Sequence, residues 1–122
     1  MSIQNLISGY YWTYKKGSVG KILYGSLRDA NGLFEITGTL TVRASLPGST
    51  TRVIDDSACT PDPDQTANKG QFTWTVDAGA AAIESGTYDL EFKHVDGGVT
   101  SFFPDDVNLN KVYGKLIVTE TL

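Results

Sequence analysis

Tyr88, Leu90 and Phe92 alternate with Thr87, Asp89, Glu91 and Lys93, so an extended chain here is apolar on one side and polar on the other. This period of two marks a strand with one face in a core and the other in water. The alternation recurs. Leu40, Val42 and Ala44 stand against Thr39, Thr41 and Arg43 in residues 37–44, and Phe72, Trp74 and Val76 against Gln71, Thr73 and Thr75 in residues 71–76. Shorter runs predict strands at residues 9–14, 20–27, 33–36 and 115–119, and a weak one at 52–55. Another follows the Asp96-Gly97-Gly98 turn and leads to Phe102-Phe103-Pro104-Asp105. Asn31-Gly32 is a turn signal, because both residues tolerate positive φ.

Residues 45–69 break the pattern. Pro47-Gly48, Asp55-Asp56 and Pro61-Asp62-Pro63-Asp64 make them polar and predict a mobile loop around the weak strand. Asp77 is placed to cap a short Ala-rich helical turn at residues 78–85, with Gly86 at the position that ends it. The thirteen glycines are read as turn residues. Short aromatic and β-branched runs separated by Gly, Asn, Asp and Pro belong to an all-β sandwich or barrel. No repeat of 20–50 residues and no linker divides the chain.

Length and charge bound the partners. At 122 residues the chain is one domain long, enough to bury roughly two-thirds of its unfolded surface without staples. The net charge is −4, and of the ten basic residues only Lys15 and Lys16 adjoin. No basic stripe exists to neutralise several phosphates, which argues against nucleic acid. Cys59 is the single cysteine, so no intramolecular disulfide can form, and it has no basic sequence neighbour to activate it. Residues 1–9 lack the charged and apolar regions of a signal peptide, and no run of 18 apolar residues suits a membrane span.

Candidate chemistry is sparse. Asp62-Pro63-Asp64 opens like a calcium loop, but Ala67 stands where glycine is required and Thr73 where glutamate is required. Asp55-Asp56 and Asp105-Asp106 are adjacent pairs, which point to opposite faces of an extended chain and make poor two-carboxylate sites. His94 is the only histidine, so multi-histidine metal sites are excluded and one candidate base remains. Neither a nucleophile elbow nor a phosphate-cradling glycine motif occurs. These readings predict a non-enzyme without metal or cofactor.

Tyr10-Tyr11-Trp12-Thr13-Tyr14 is different, because alternation puts Tyr10, Trp12 and Tyr14 on one face and Tyr11 on the other. Aromatics on both faces suit packing against a second chain, since Tyr and Trp are enriched at interfaces. Two other readings stand beside it: the rings cover the domain's own core, or they stack on sugars. With Phe102 and Phe103, the residues Tyr10, Tyr11, Trp12 and Tyr14 form the candidate assembly interface.

The motifs occur in a telling order. Lys16-Gly17-Ser18 is followed by Leu27-Arg28-Asp29-Ala30-Asn31-Gly32, Ile36-Thr37-Gly38-Thr39-Leu40-Thr41-Val42-Arg43 and Gly70-Gln71-Phe72-Thr73-Trp74-Thr75. Then come Gly86-Thr87-Tyr88-Asp89-Leu90-Glu91-Phe92, Phe103-Pro104-Asp105 and Leu116-Ile117-Val118. Over residues 16–119 this order resembles the N-terminal domain of the phage baseplate upper protein family. The resemblance implies an immunoglobulin-like β-sandwich, a virion structural role as an adaptor, and no catalytic residues. Residues 1–15, an arm or extra strand, precede the family's usual start, leaving residues 16–122 as the sandwich domain, and the family's long stalk and receptor-binding assembly do not follow. The expectation is therefore an accessory subunit of a tail, baseplate or capsid decoration, assembled in the host cytoplasm and carried on the virion. Its expected partners are other virion proteins and copies of itself in a symmetric array, with neither nucleic acid nor membrane. The alternative is a carbohydrate-binding or adhesion module of the same architecture.

Overall fold

The computed structural model describes residues 6–8 (backbone only), 11–29, 31–103 and 114–121, which form eleven strands and one short helix. In chain order they are β1 (Leu6–Ser8), β2 (Tyr11–Lys15), β3 (Ile22–Asp29), β4 (Gly32–Leu33), β5 (Thr39–Ser45), β6 (Arg52–Ala58), β7 (Thr60–Pro61) and β8 (Gln71–Thr75). The helix α1 (Ala78–Ala81) precedes β9 (Gly86–Asp96), β10 (Val99–Phe103) and β11 (Gly114–Thr119). One sheet runs β1-β3-β8-β7 with β4 also on β3, and the other runs β2-β11-β9-β5-β6 with β10 also on β9. This is the all-β, sandwich-like architecture that the alternation predicts.

The alternation does the work of closing it. Leu23, Leu27, Phe72 and Trp74 face inward from the five-stranded sheet. Trp12, Tyr14, Leu40, Val42, Tyr88, Leu90, Phe92, Leu116 and Val118 face them from the six-stranded sheet, all in one buried cluster. Their polar neighbours along each strand point to water, so burial costs few unpaired polar groups.

Two connections shape the surface. The N-terminal segment divides between the sheets: β1 lies antiparallel to β3, while β2 runs parallel to β11 with Tyr11 opposite Lys115. Along one edge of β9 the ladder is carried first by β10 and then by β11. Phe103 stands opposite Phe92 and Gly114 opposite Leu90, so the pairing resumes two positions further along β9 after residues 104–113.

The stretch read as a mobile loop is more structured than expected. β6 runs through Ala58, three residues beyond the predicted strand, and pairs with β5 through a register shift near Ala44. Asp56 there has a positive φ of 49°, which Asp tolerates better than most residues. Its Oδ1 accepts from Arg43 Nη2 at 2.7 Å and Arg43 Nε at 3.0 Å. The turn after β7 is tied by Gln65. Its Oε1 accepts from the N–H groups of Ile36 and Gly70, and its Nε2 donates to the carbonyls of Asp62 and Gln71. Proline and aspartate content cannot reveal one amide that satisfies four backbone groups.

The helical turn is correctly placed and too long in the prediction. Asp77 Oδ1 accepts from Ala80 N at 2.8 Å, as a cap should, but the helix ends at Ala81 with Ala82 as its C-cap, and Gly86 opens β9 instead of capping. The strand expected at 33–36 shrinks to β4, while Ile36 enters the core and Phe34 packs against it from outside any strand.

Candidate functional site

The expected interface residues separate into two groups. Trp12 is buried, stacked on Trp74 at 5.5 Å with the planes 7° apart, and meets Phe72 and Phe92 edge-on. Its Nε1 donates to the Tyr24 carbonyl at 2.9 Å, linking the two sheets. Tyr14 is buried beside Trp74, and its hydroxyl donates to the Ala80 carbonyl at 2.7 Å. Phe103 is fully buried against Phe34. These three side chains belong to the domain's own core and present nothing to a neighbour. The physical reason is that β2 and β10 pair within the six-stranded sheet, which turns every second residue inward.

Tyr11 and Phe102 form the outward group, and Tyr10 lies outside the described residues. Tyr11 is 65% exposed on β2, the end strand of its sheet. Phe102 is half-buried, with the Arg43 guanidinium 5.5 Å from its ring centre. Both occupy the outer face of the six-stranded sheet. The same face carries the Lys115–Asp89 pair and the Arg43–Asp56 and Arg43–Glu91 pairs at 2.7 and 3.4 Å. Burial pushes the Asp56 carboxyl up, but the Arg43 hydrogen bond and the charges of Arg43, Lys93 and Arg52 outweigh it and hold the group below its ordinary range.

The reactive side chains serve the fold. His94 is buried, donates from Nε2 to the Thr37 carbonyl, and meets the Phe34 ring edge-on at 4.9 Å. Cys59 is buried, and burial pushes its thiol up, away from the thiolate that a nucleophile needs. Asp77, besides capping α1, accepts from the Ser57 hydroxyl, which in turn accepts from Trp74 Nε1. Among the described residues, no three His, Cys, Asp or Glu side chains converge as a metal-binding group, and no helix is long and apolar enough to cross a membrane.

Tyr14 gives this arrangement a measurable pH dependence. Burial first, then Asp77 and Tyr88, push its phenol well above the usual range. The folded state therefore keeps a proton that the unfolded chain loses near pH 10. The stabilisation is complete below that pH and declines as the pH rises above it. Tyr14→Phe is expected to cost about 1 kcal/mol at neutral pH, by removing the bond to Ala80, and to flatten the decline above about pH 10. Urea unfolding at both pH values measures both effects, and an unchanged alkaline slope would reject the assignment to Tyr14.

Sequence reading passed over one feature. On the outer face of the five-stranded sheet, Tyr24, Thr73 and Thr60 lie side by side across β3, β8 and β7, with Ser26 opposite Gln71 in the next row. They line a groove of about 430 Å³ walled by Pro61, Asp62 and Pro63. The signal was present: if Phe72 and Trp74 point inward, Gln71 and Thr73 must point outward, and Tyr24 must oppose Leu23.

No protein-family model matches the chain, and no curated protein matches it.

Proposed function

We propose that the chain is an accessory structural subunit of a bacteriophage virion, in a tail, a baseplate or a capsid decoration, that acts by protein–protein assembly. We read its sandwich as immunoglobulin-like, a reading supported by the N-terminal segment that divides between the sheets and by the parallel pairing of β2 with β11. The motifs that resemble the baseplate upper protein domain fall on consecutive core strands, Gln71-Phe72-Thr73-Trp74-Thr75 on β8 and Gly86-Thr87-Tyr88-Asp89-Leu90-Glu91-Phe92 on β9. In this reading the domain is a rigid adaptor without catalytic residues, and its partners are other virion proteins and its own copies.

The observation that carries the reading is Tyr11. A large aromatic ring, 65% exposed, stands on a strand that pairs on one side only among the described residues, with half-buried Phe102 elsewhere on the same face of the sheet. Such a face supplies an anchor ring, and the edge of β2 supplies main-chain groups for a neighbour's sheet. Lys21 Nζ donates to the Thr13 carbonyl and blunts this edge at one point.

Removing residues 1–15 is a poor test, because it strips Trp12 and Tyr14 from the core. Tyr11→Ser leaves the core intact. Light scattering over a concentration series is expected to show a defined oligomer for the native chain and a shift towards monomer for Tyr11→Ser. Identical masses at every concentration would reject Tyr11 as an assembly anchor.

A further inference from the structure

The groove on the five-stranded sheet lies on a different sheet from the assembly face, and the structure gives it a distinct chemistry. We propose that it binds an uncharged saccharide, with one pyranose ring laid on Tyr24 and its hydroxyls held by Gln71, Thr73 and Asp62.

The argument begins with the strand pattern. Residues directly opposite one another across a ladder share a face, so Tyr24, Thr73 and Thr60 form a row three strands wide, about 10 Å across. Tyr24 is 72% exposed, the most exposed large apolar side chain among the described residues. Ile22, 49% exposed, adjoins it along the same face of β3, but across the ladder its neighbours are hydroxyls and an amide, not the run of apolar residues that a protein-docking patch requires. Among the described residues, no side chain or backbone group engages the Ser26, Thr60 or Thr73 hydroxyl or the side-chain amide of Gln71. Asp62 Oδ1 accepts from Asp64 N at 2.9 Å, which orients the carboxylate and leaves Oδ2 for a further donor.

A saccharide is the ligand class that needs this combination. The C–H face of a pyranose is apolar and flat enough to cover one aromatic ring, and its rim offers vicinal hydroxyls to paired acceptors and donors. The volume of about 430 Å³ falls in the range of small-molecule sites and, shared with open solvent, suits one or two sugar rings. Other ligands fit less well. No Lys or Arg lines the groove, so a phosphate or another anion would meet Asp62 with no counter-charge. A lipid tail or an apolar peptide would cover unengaged hydroxyls and a carboxylate at a desolvation cost. The strands beneath are held rigidly, since Phe72 and Trp74 on β8 are core residues and the Tyr24 carbonyl receives Trp12 Nε1. The face is therefore formed before any ligand arrives.

The test is a ¹H–¹⁵N NMR titration of the full chain with cellobiose, maltose, lactose and N,N′-diacetylchitobiose at millimolar concentrations. The expected result is a saturable shift, with at least one of the four, centred on the amides of Tyr24, Gly25, Gln71 and Thr73. Tyr24→Ala should then weaken binding about tenfold, and Tyr24→Phe should retain most of it. Because the Tyr24 side chain is exposed, both variants should keep a native-like spectrum elsewhere. No saturable shift with any of the four sugars, shifts centred on the Tyr11 face, or binding that survives Tyr24→Ala would overturn the proposal. Failure here leaves the assembly reading standing, since Tyr11 and Tyr24 lie on different sheets.

Discussion

Trp12→Ala is expected to lower the free energy of unfolding by about 3–5 kcal/mol, a large part of what a domain of this size possesses. Trp12 touches both sheets. It stacks on Trp74 and meets Phe72 edge-on in one sheet, and meets Phe92 edge-on in its own. Truncation opens a cavity among rings that cannot close around it without leaving their rotamers, and it strands the Tyr24 carbonyl that Nε1 now satisfies. The neighbouring Tyr11→Ser, on the opposite face of the same strand, should stay within about 0.5 kcal/mol in the dilute monomer. Urea unfolding followed by circular dichroism measures both. A loss below about 1 kcal/mol for Trp12→Ala would mean that β2 contributes little to the core, and the extra-strand description would have to be given up in favour of a detachable arm.

That contrast shows what the amino-acid sequence made legible. Alternation placed Tyr88, Leu90, Phe92, Phe72 and Trp74 inward and put Trp12 and Tyr14 opposite Tyr11, all as observed. Local periodicity tells which residues share a face. It does not tell whether that face meets the domain's own core or another chain, because the answer depends on which distant strand comes to lie alongside. The pairing of β2 with β11 joins residues about a hundred positions apart, and nothing near Trp12 encodes it. Phe102 and Phe103 show the same limit: the register of β10 on β9 decides that Phe103 is enclosed and Phe102 half-buried.

The functional surface was less legible than the fold, for a related reason. Tyr24 stands in a run whose apolar positions, Leu23 and Leu27, are separated by Gly25, so its local pattern is weaker than that of the aromatic cluster at residues 10–14. Gly25 itself is no turn residue. It lies within β3 because a Cβ there would come within 2.6 Å of the Phe72 ring. A groove assembled from β3 and from β7 and β8, which begin more than thirty residues later in the chain, has no local signature. His94 was the opposite case, conspicuous as the only histidine, yet its ring is buried between the Thr37 carbonyl and Phe34, where it joins the segment before β5 to β9.

That junction carries the other large prediction. Gly38 has φ +82°, in the left-handed region, and a Cβ there would clash with the Val95 carbonyl oxygen and lie 2.9 Å from Asp96 Cβ. Both obstacles belong to β9, at the point where the Thr37 hydroxyl donates to Asp96 Oδ2 at 2.5 Å and His94 binds the Thr37 carbonyl. Gly38→Ala must therefore bear the backbone strain of about 1–2 kcal/mol and, in addition, an overpacking cost of about 1–3 kcal/mol, because neither obstacle can rotate away. The expected loss is about 2–5 kcal/mol in urea unfolding. Gly48 is the matched control: its φ is +79° and nothing lies near its missing Cβ, so Gly48→Ala should show the backbone strain alone. The difference between the two variants measures how tightly the segment before β5 is pressed onto β9. Equal losses would mean that the segment yields to the added methyl group, and His94 would then be a replaceable filler and not the clamp that its hydrogen bond and ring contact describe.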